Sequence, residues 1–217
     1  MVGIYQRAAD GSTAAELLLR AGGRAGATTF PADYASDGRF LLYWSRRPQT
    51  RVDTWLLPLT GDRTPRPLLA SEYDDTGTQL SPDGRWLAYR SDVSGTYEIY
   101  LQSFTADGHA GPAKIRVTQQ GGAQPRFRGD SRELFYLAPD GTMMSVELEP
   151  QGDAIRASTP KALFQTRVLP AGAAASFEYD VTADGQRFLV GTVLDGPDAA
   201  PPTPVIIVDW ELELPAR

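Results

Sequence analysis

The sequence predicts an all-β chain: a β-propeller of four-stranded antiparallel blades, partial and open, with about four to five blades. Two observations lead there. An Asp-turn motif recurs at Asp37-Gly38-Arg39-Phe40, Asp83-Gly84-Arg85-Trp86, Asp130-Ser131-Arg132-Glu133 and Asp184-Gly185-Gln186-Arg187, in steps of 46, 47 and 54 residues. A strand-rich unit of that period marks a propeller or array rather than one irregular domain. The second observation is the 21 Gly and 17 Pro among 217 residues, which suit many short strands joined by turns.

Each motif reads as a hairpin. Asp-Gly at the centre of a two-residue turn needs positive φ at both positions, which Gly takes freely and Asp tolerates better than most residues. In the third copy Ser131 stands where Gly is expected, so the turn there is either Asp130-Ser131 or Gly129-Asp130. Asp37, Asp83, Asp130 and Asp184 are expected to be structural turn residues, with Gly38, Gly84 and Gly185 beside them.

An apolar strand follows each turn, at 40–43, 86–89, 134–137 and 188–190. Apolar residues on both faces suit a sheet packed on either side. A third strand is expected at 53–59, 97–101, 142–146 and 205–210, and a shorter fourth at 67–69, 115–118 and 162–164. Segments 2–7 and 16–19 read as strands three and four of a blade whose first half is missing, although Ser12 to Arg20 also reads as a short capped helix. The blades are expected to run 1–29 (partial), 30–72, 73–120, 121–169 and 170–212 (partial), with a tail at 213–217, all within a single domain. The open edges offer a surface for a homodimer.

Net charge is −6, which argues against nucleic acid as the main partner. No Cys is present, so disulfides, thiolate metal sites and Cys nucleophiles are excluded. No stretch approaches the ~20 apolar residues of a membrane span, and the first residues lack a signal-peptide pattern. Direct membrane insertion is therefore not expected. The only His, His109, lies in a Gly-rich loop and reads as an exposed turn residue. No Gly-x-Ser-x-Gly elbow occurs. The expectation is that this chain is not an enzyme and uses no cofactor or metal.

Candidate binding residues lie on one rim and beside the central channel. Arg46, Arg47 and Arg51 form a basic loop, and Glu72, Tyr73, Asp74 and Asp75 form the densest acidic cluster. Loops on a rigid scaffold carry function, and Arg is favoured at interface hot spots. Gln124 and Arg126 are placed on or beside an innermost strand, facing the channel. An enzymatic alternative would need paired carboxylates there, for which Asp74, Asp75, Glu178 and Asp180 are the candidates. A protein or a small molecule is the expected ligand.

Ser81-Pro82-Asp83-Gly84-Arg85-Trp86-Leu87-Ala88-Tyr89-Arg90-Ser91-Asp92 is similar to the signature of TolB-type, WD-repeat-like β-propellers. Tyr97-Glu98-Ile99-Tyr100-Leu101, Gly121-Gly122-Ala123-Gln124-Pro125-Arg126-Phe127-Arg128, Glu133-Leu134-Phe135-Tyr136 and Tyr179-Asp180-Val181-Thr182-Ala183-Asp184 come after it in order. With Pro204-Val205-Ile206-Ile207-Val208-Asp209-Trp210, they resemble the C-terminal sensor propeller of bacterial receptor-like serine/threonine protein kinases. That resemblance implies a six-bladed propeller outside the membrane, joined to a cytoplasmic kinase by one spanning helix. It also implies a sensing or protein-binding role and a periplasmic or extracellular location. The kinase motifs themselves are absent from this chain. Propellers of prolyl-oligopeptidase-like hydrolases, and glycan-acting propellers, are the alternative.

Overall fold

A computed structural model describes residues 3–20, 29–46, 51–166, 168 and 177–191. Every regular element among them is a strand. The first sheet pairs β1 (Gly3–Gln6) with β2 (Glu16–Arg20). Segment 16–20 is thus a strand, not a helix: Leu18 and Leu19 are worth more packed against the next blade than local helix propensity is worth. The second sheet runs β3 (Thr29–Tyr34), β4 (Phe40–Arg46), β5 (Val52–Pro58), β6 (Arg66–Leu69). The third runs β7 (Thr76–Leu80), β8 (Trp86–Ser91), β9 (Glu98–Phe104), β10 (Ala110–Arg116). Both are antiparallel meanders in chain order.

The fourth sheet departs from the expected pattern. It starts with β11 (Ala123–Phe127) and β12 (Glu133–Leu137), but its third strand, β13 (Thr142–Gln151), runs well past residue 146. The outer half of β13 pairs with an added strand, β14 (Ala154–Ala157), and its inner half with β15 (Lys161–Gln165). Gly152, with φ of 63°, makes the tight reversal. The last described sheet is β16 (Tyr179–Val181) with β17 (Phe188–Val190). The strand expected at 205–210 lies outside the described residues.

Alternation along the second strand of each blade builds the core. In β4, Phe40 and Leu42 face one neighbouring blade while Leu41 and Tyr43 face the other. Trp86 and Ala88 of β8 oppose Leu87 and Tyr89. Leu134 and Tyr136 of β12 oppose Phe135 and Leu137. Successive side chains on a strand point to opposite faces, so each of the three middle blades feeds two cores. Among the described residues, four separate cores lie between the five sheets. Burying one such Leu or Phe stabilises by about 1.5–3 kcal/mol. This is the all-β, partial-propeller architecture expected from the repeat.

The turns differ from the two-residue form. Only the last residue of each Asp pair has positive φ: Gly38 (73°), Gly84 (69°), Ser131 (62°) and Gly185 (73°). Each donates its N–H back three residues, to Ala35, Ser81, Arg128 and Thr182 respectively. This is a type I turn closed by a left-handed residue, with the Asp in an ordinary conformation. Each Asp Oδ1 accepts the N–H two residues on, from Arg39, Arg85, Arg132 and Gln186, at 3.0–3.2 Å. Ser131 keeps the common register despite the Cβ. The same turn closes Asp107-Gly108 and Asp140-Gly141, which lie outside the repeat.

The turn tips also tie blade to blade. Ser36 Oγ donates to the carbonyl of Pro82, Asp83 N–H to Ser131 Oγ, and Gly129 N–H to the carbonyl of Ala183. The Arg after the turn reaches further. Arg39 donates to the Ala106 carbonyl at 2.8 Å and Arg85 to the Gly152 carbonyl at 2.7 Å. Each acceptor sits on the outer hairpin of the next blade.

Candidate functional site

The first strands of the blades, β3, β7, β11 and β16, converge on the propeller axis. Counting four residues back from each turn Asp gives Asp33, Gln79, Arg126 and Asp180. Arg126 Nη1 donates to Gln79 Oε1 at 3.1 Å, and its Nε lies 3.7 Å from Asp180 Oδ1. The guanidinium carbon sits 4.0 Å from the centre of the Phe177 ring. Asp33 accepts N–H groups from Leu80 (2.6 Å) and Tyr34 (2.8 Å). Burial pushes the Asp33 carboxyl above the usual range, opposed by those bonds and by the charge of Arg126. Side chains from three blades touch in this row, and the charge of Arg126 reaches the fourth.

A bulge aims them. The pairing shifts between Pro31 and Asp33, between Thr76 and Gln79, and between Ala123 and Arg126. One extra residue at the same place in three inner strands breaks the strict alternation and re-aims the side chains beyond it. Gln124 stands on the third bulge with φ of 57°, uncommon for a residue with a side chain. Its Oε1 accepts the Glu178 N–H at 2.8 Å, its Nε2 lies 3.5 Å from Glu178 Oε2, and its carbonyl accepts the Tyr179 hydroxyl at 2.7 Å. Gln124 and Arg126 thus both meet β16 and the residues just before it. Asp33, Gln79, Gln124, Arg126, Glu178 and Asp180 gather along the innermost strands, which in a propeller line the axial groove.

The rim holds a second group. Asp74 accepts the Val52 N–H at 3.1 Å and the Tyr97 hydroxyl at 3.0 Å, and its own N–H donates to Asp92 Oδ1 at 2.9 Å. Arg51 pairs closely with Asp92 and lies 3.6 Å from Asp74. Those two carboxylates, Asp74 first, raise the Arg51 guanidinium above its ordinary value. The Arg90 guanidinium is buried 4.1 Å from the centre of the Tyr97 ring. Burial lowers its pKa and raises that of Tyr97. Beside them lies a cleft of about 410 Å³, lined by Arg90, Tyr97, Gly121, Gly122, Leu137 and Pro139 among others.

The acidic run 72–75 does not act as one cluster. Asp74 turns to Arg51 and Tyr97, while Asp75 is buried and accepts from Ser71 Oγ at 2.9 Å. Glu72 is exposed and Tyr73 half-buried. Asp75 is pushed up by burial, against hydrogen bonds from Ser91 and Ser71. Arg46 ends β4, exposed, and Arg47 lies outside the described residues. His109 is exposed, its Nδ1 3.1 Å from Asp107, on the β9–β10 turn. Among the described residues no three His, Asp or Glu side chains gather as metal ligands would. None forms a helix long and apolar enough to cross a membrane. Asp33 and Gln79 escaped the sequence reading. Aligning the repeats on their turn Asp and reading four back would have found them.

No protein-family model matches this chain, and no curated protein does. Solved structures do. TolB from Acinetobacter baumannii aligns over 88% of this chain and 54% of its own, with 13% identity and a TM-score of 0.52. A proposed 6-phosphogluconolactonase from Bacteroides uniformis aligns over 88% and 57%, with 14% identity and a TM-score of 0.53. The periplasmic gluconolactonase of Pseudomonas aeruginosa aligns over 72% and 48%, with 18% identity and a TM-score of 0.46. This chain spans about half the length of these structures. The neighbours correct one expectation. Missing kinase and hydrolase motifs do not make the chain a non-enzyme, because a solved propeller described as a 6-phosphogluconolactonase shares this scaffold and a fold does not settle function. What the chain has in common with these proteins is the fold, a TolB-like β-propeller, here in part.

Proposed function

We propose that this chain is the ligand-binding part of a larger bacterial signalling protein, a propeller that holds a protein or small-molecule ligand at its axial groove and the adjoining rim. One observation supports it above the others. Equivalent positions in four blades carry Asp33, Gln79, Arg126 and Asp180 at the axis, where apolar side chains would stabilise the fold more. Gln124 holds a strained conformation beside them, and such strain clusters at ligand clamps. A periplasmic or extracellular location goes with the sensor reading. The test is a thermal-shift screen of metabolite and peptide panels against wild type and Asp180→Asn. A ligand at 100 times its Kd adds about 2.7 kcal/mol of stability. A hit whose shift persists in both Asp180→Asn and Arg51→Gln would place binding elsewhere and sink this reading.

A second reading has its own observation. Asp33, raised by burial near Arg126, has the character of an acid–base group. On this reading the groove acts on a glycan or a sugar lactone. Lactone or glycoside hydrolysis lost in Asp33→Asn, with the fold intact, would favour it.

A further inference from the structure

We propose that the axial groove takes a neutral polyhydroxylated ligand, a saccharide, through hydroxyls set among Asp180, Arg126 and Glu178, with the buried Gln79 holding Arg126 in place. This rests on the binding reading above and names its ligand class.

The wall alternates chemically. An ionised carboxylate only accepts, a guanidinium only donates, and a carboxamide does both. Along the row these types succeed one another from blade to blade as Asp33, Gln79, Arg126 and Asp180, with Gln124 and Glu178 alongside. A hydroxyl donates one hydrogen bond and accepts others, so neighbouring hydroxyls of a sugar can bridge a carboxylate and a guanidinium side by side.

Charge narrows the choice. An anion would meet three carboxylates and one guanidinium. A cation would compete with Arg126, which already lies 3.7 Å from Asp180. A metal ion finds no set of three carboxylate or imidazole ligands among the described residues. A neutral ligand does neither: it leaves Arg126 facing Asp180, and its hydroxyls can donate to the carboxylates.

The wall is also pre-set. Arg126 is anchored by Gln79 and lies over Phe177, and Glu178 is held through its backbone by Gln124. Fixing such groups beforehand reduces what binding must spend on ordering them. The Asp180 side chain is 66% exposed, open to a ligand.

The experiment is isothermal titration with neutral mono- and trisaccharides (glucose, N-acetylglucosamine, maltotriose, cellotriose), glucosamine as the cationic probe and gluconate as the anionic one. At least one neutral sugar should bind, with affinity reduced about tenfold or more in Asp180→Asn and in Gln79→Ala. Asp180 is exposed, so its variant should fold, and a thermal melt checks both. Arg51→Gln on the rim should leave the affinity unchanged. Glucosamine or gluconate binding tenfold tighter than every neutral sugar, and weakened by the same variants, overturns the ligand class and leaves the groove as a binding site. No sugar binding, or sugar binding indifferent to both groove variants, overturns the proposal. The binding reading then falls only if the wider panels also fail at the groove.

Discussion

Gly77 and Gln124 occupy the same place one repeat apart, on the bulge of an innermost strand, with φ of 63° and 57°. The first is free to adopt that conformation. The second adopts it at a cost of about 1–3 kcal/mol, offset by the bonds its side chain makes to Glu178. Gln124→Gly should therefore change stability little, since relief of strain and loss of a bond worth about 0.5–1.5 kcal/mol nearly cancel. Gly77→Ala, with Pro125 Cδ at 3.8 Å and so no clash, should cost about 1 kcal/mol from φ alone. Urea melts of both variants check the pair. A Gln124→Gly variant weaker by more than about 2 kcal/mol would mean that the clamp outweighs the strain.

The buried carboxyls make stability depend on pH. Asp33 and Asp75 are both raised, mainly by burial. Unfolded Asp titrates near about 3.9. Between that value and the folded one the native state holds more protons than the unfolded chain, so stability falls as pH rises through the window. The exposed turn carboxyls act oppositely. Asp130, held down to about 2 chiefly by its bond from Arg128, gives up its contribution only as pH falls below the ordinary Asp value. Lowering pH from 7 to 4.5 should raise the melting temperature, and Asp75→Asn should flatten that rise. An unaltered slope in both Asp75→Asn and Asp33→Asn would remove these groups as its source.

The inter-blade cores should respond separately. Phe135 faces the last described blade and Leu134 the blade of β7 to β10 on the other side. Phe135→Ala should cost about 3–5 kcal/mol and Leu134→Ala about 2–5 kcal/mol. Energies in a linear array depend on nearest neighbours. Hydrogen exchange should therefore show Phe135→Ala loosening β16 and β17 before β8, and Leu134→Ala the reverse.

Tyr97 joins two charges at the rim. Tyr97→Phe keeps the ring by Arg90 and loses the hydroxyl bond to Asp74, costing about 1 kcal/mol. Tyr97→Ala also uncovers the guanidinium and should cost about 1–2 kcal/mol more. Equal melts for the two variants would show that the ring contributes nothing there.

Much of the fold was legible because turn and strand signals are local. Asp83-Gly84 with Trp86, Leu87 and Tyr89 after it states a hairpin and a two-faced strand in seven residues. The long β13–β14 hairpin was not, because Glu149, Pro150 and Gln151 carry no strand signal; Leu148 and Ile155, with Ala157 beside them, pack on the preceding blade and pull that hairpin into the core. At the groove, Gln124 and Arg126 could be placed near the axis from the strand order. Asp33 and Gln79 were missed because a bulge breaks the period of two along each inner strand, and only the alignment of one repeat on another recovers them. The sense of each turn was missed for a similar reason: Asp-Gly alone does not say whether Asp shares the left-handed conformation, and here the Asx bond makes that unnecessary.

The two long arginine ties also set an order of events during synthesis. Arg39 finds its acceptor at Ala106 and Arg85 at Gly152. Chains emerge from the ribosome N-terminus first, at about 5–20 residues per second. Arg39 must therefore wait several seconds for Ala106 to appear, and Arg85 as long for Gly152. Each of these two blades leaves the ribosome unlatched, and is latched only when the far hairpin of its successor arrives.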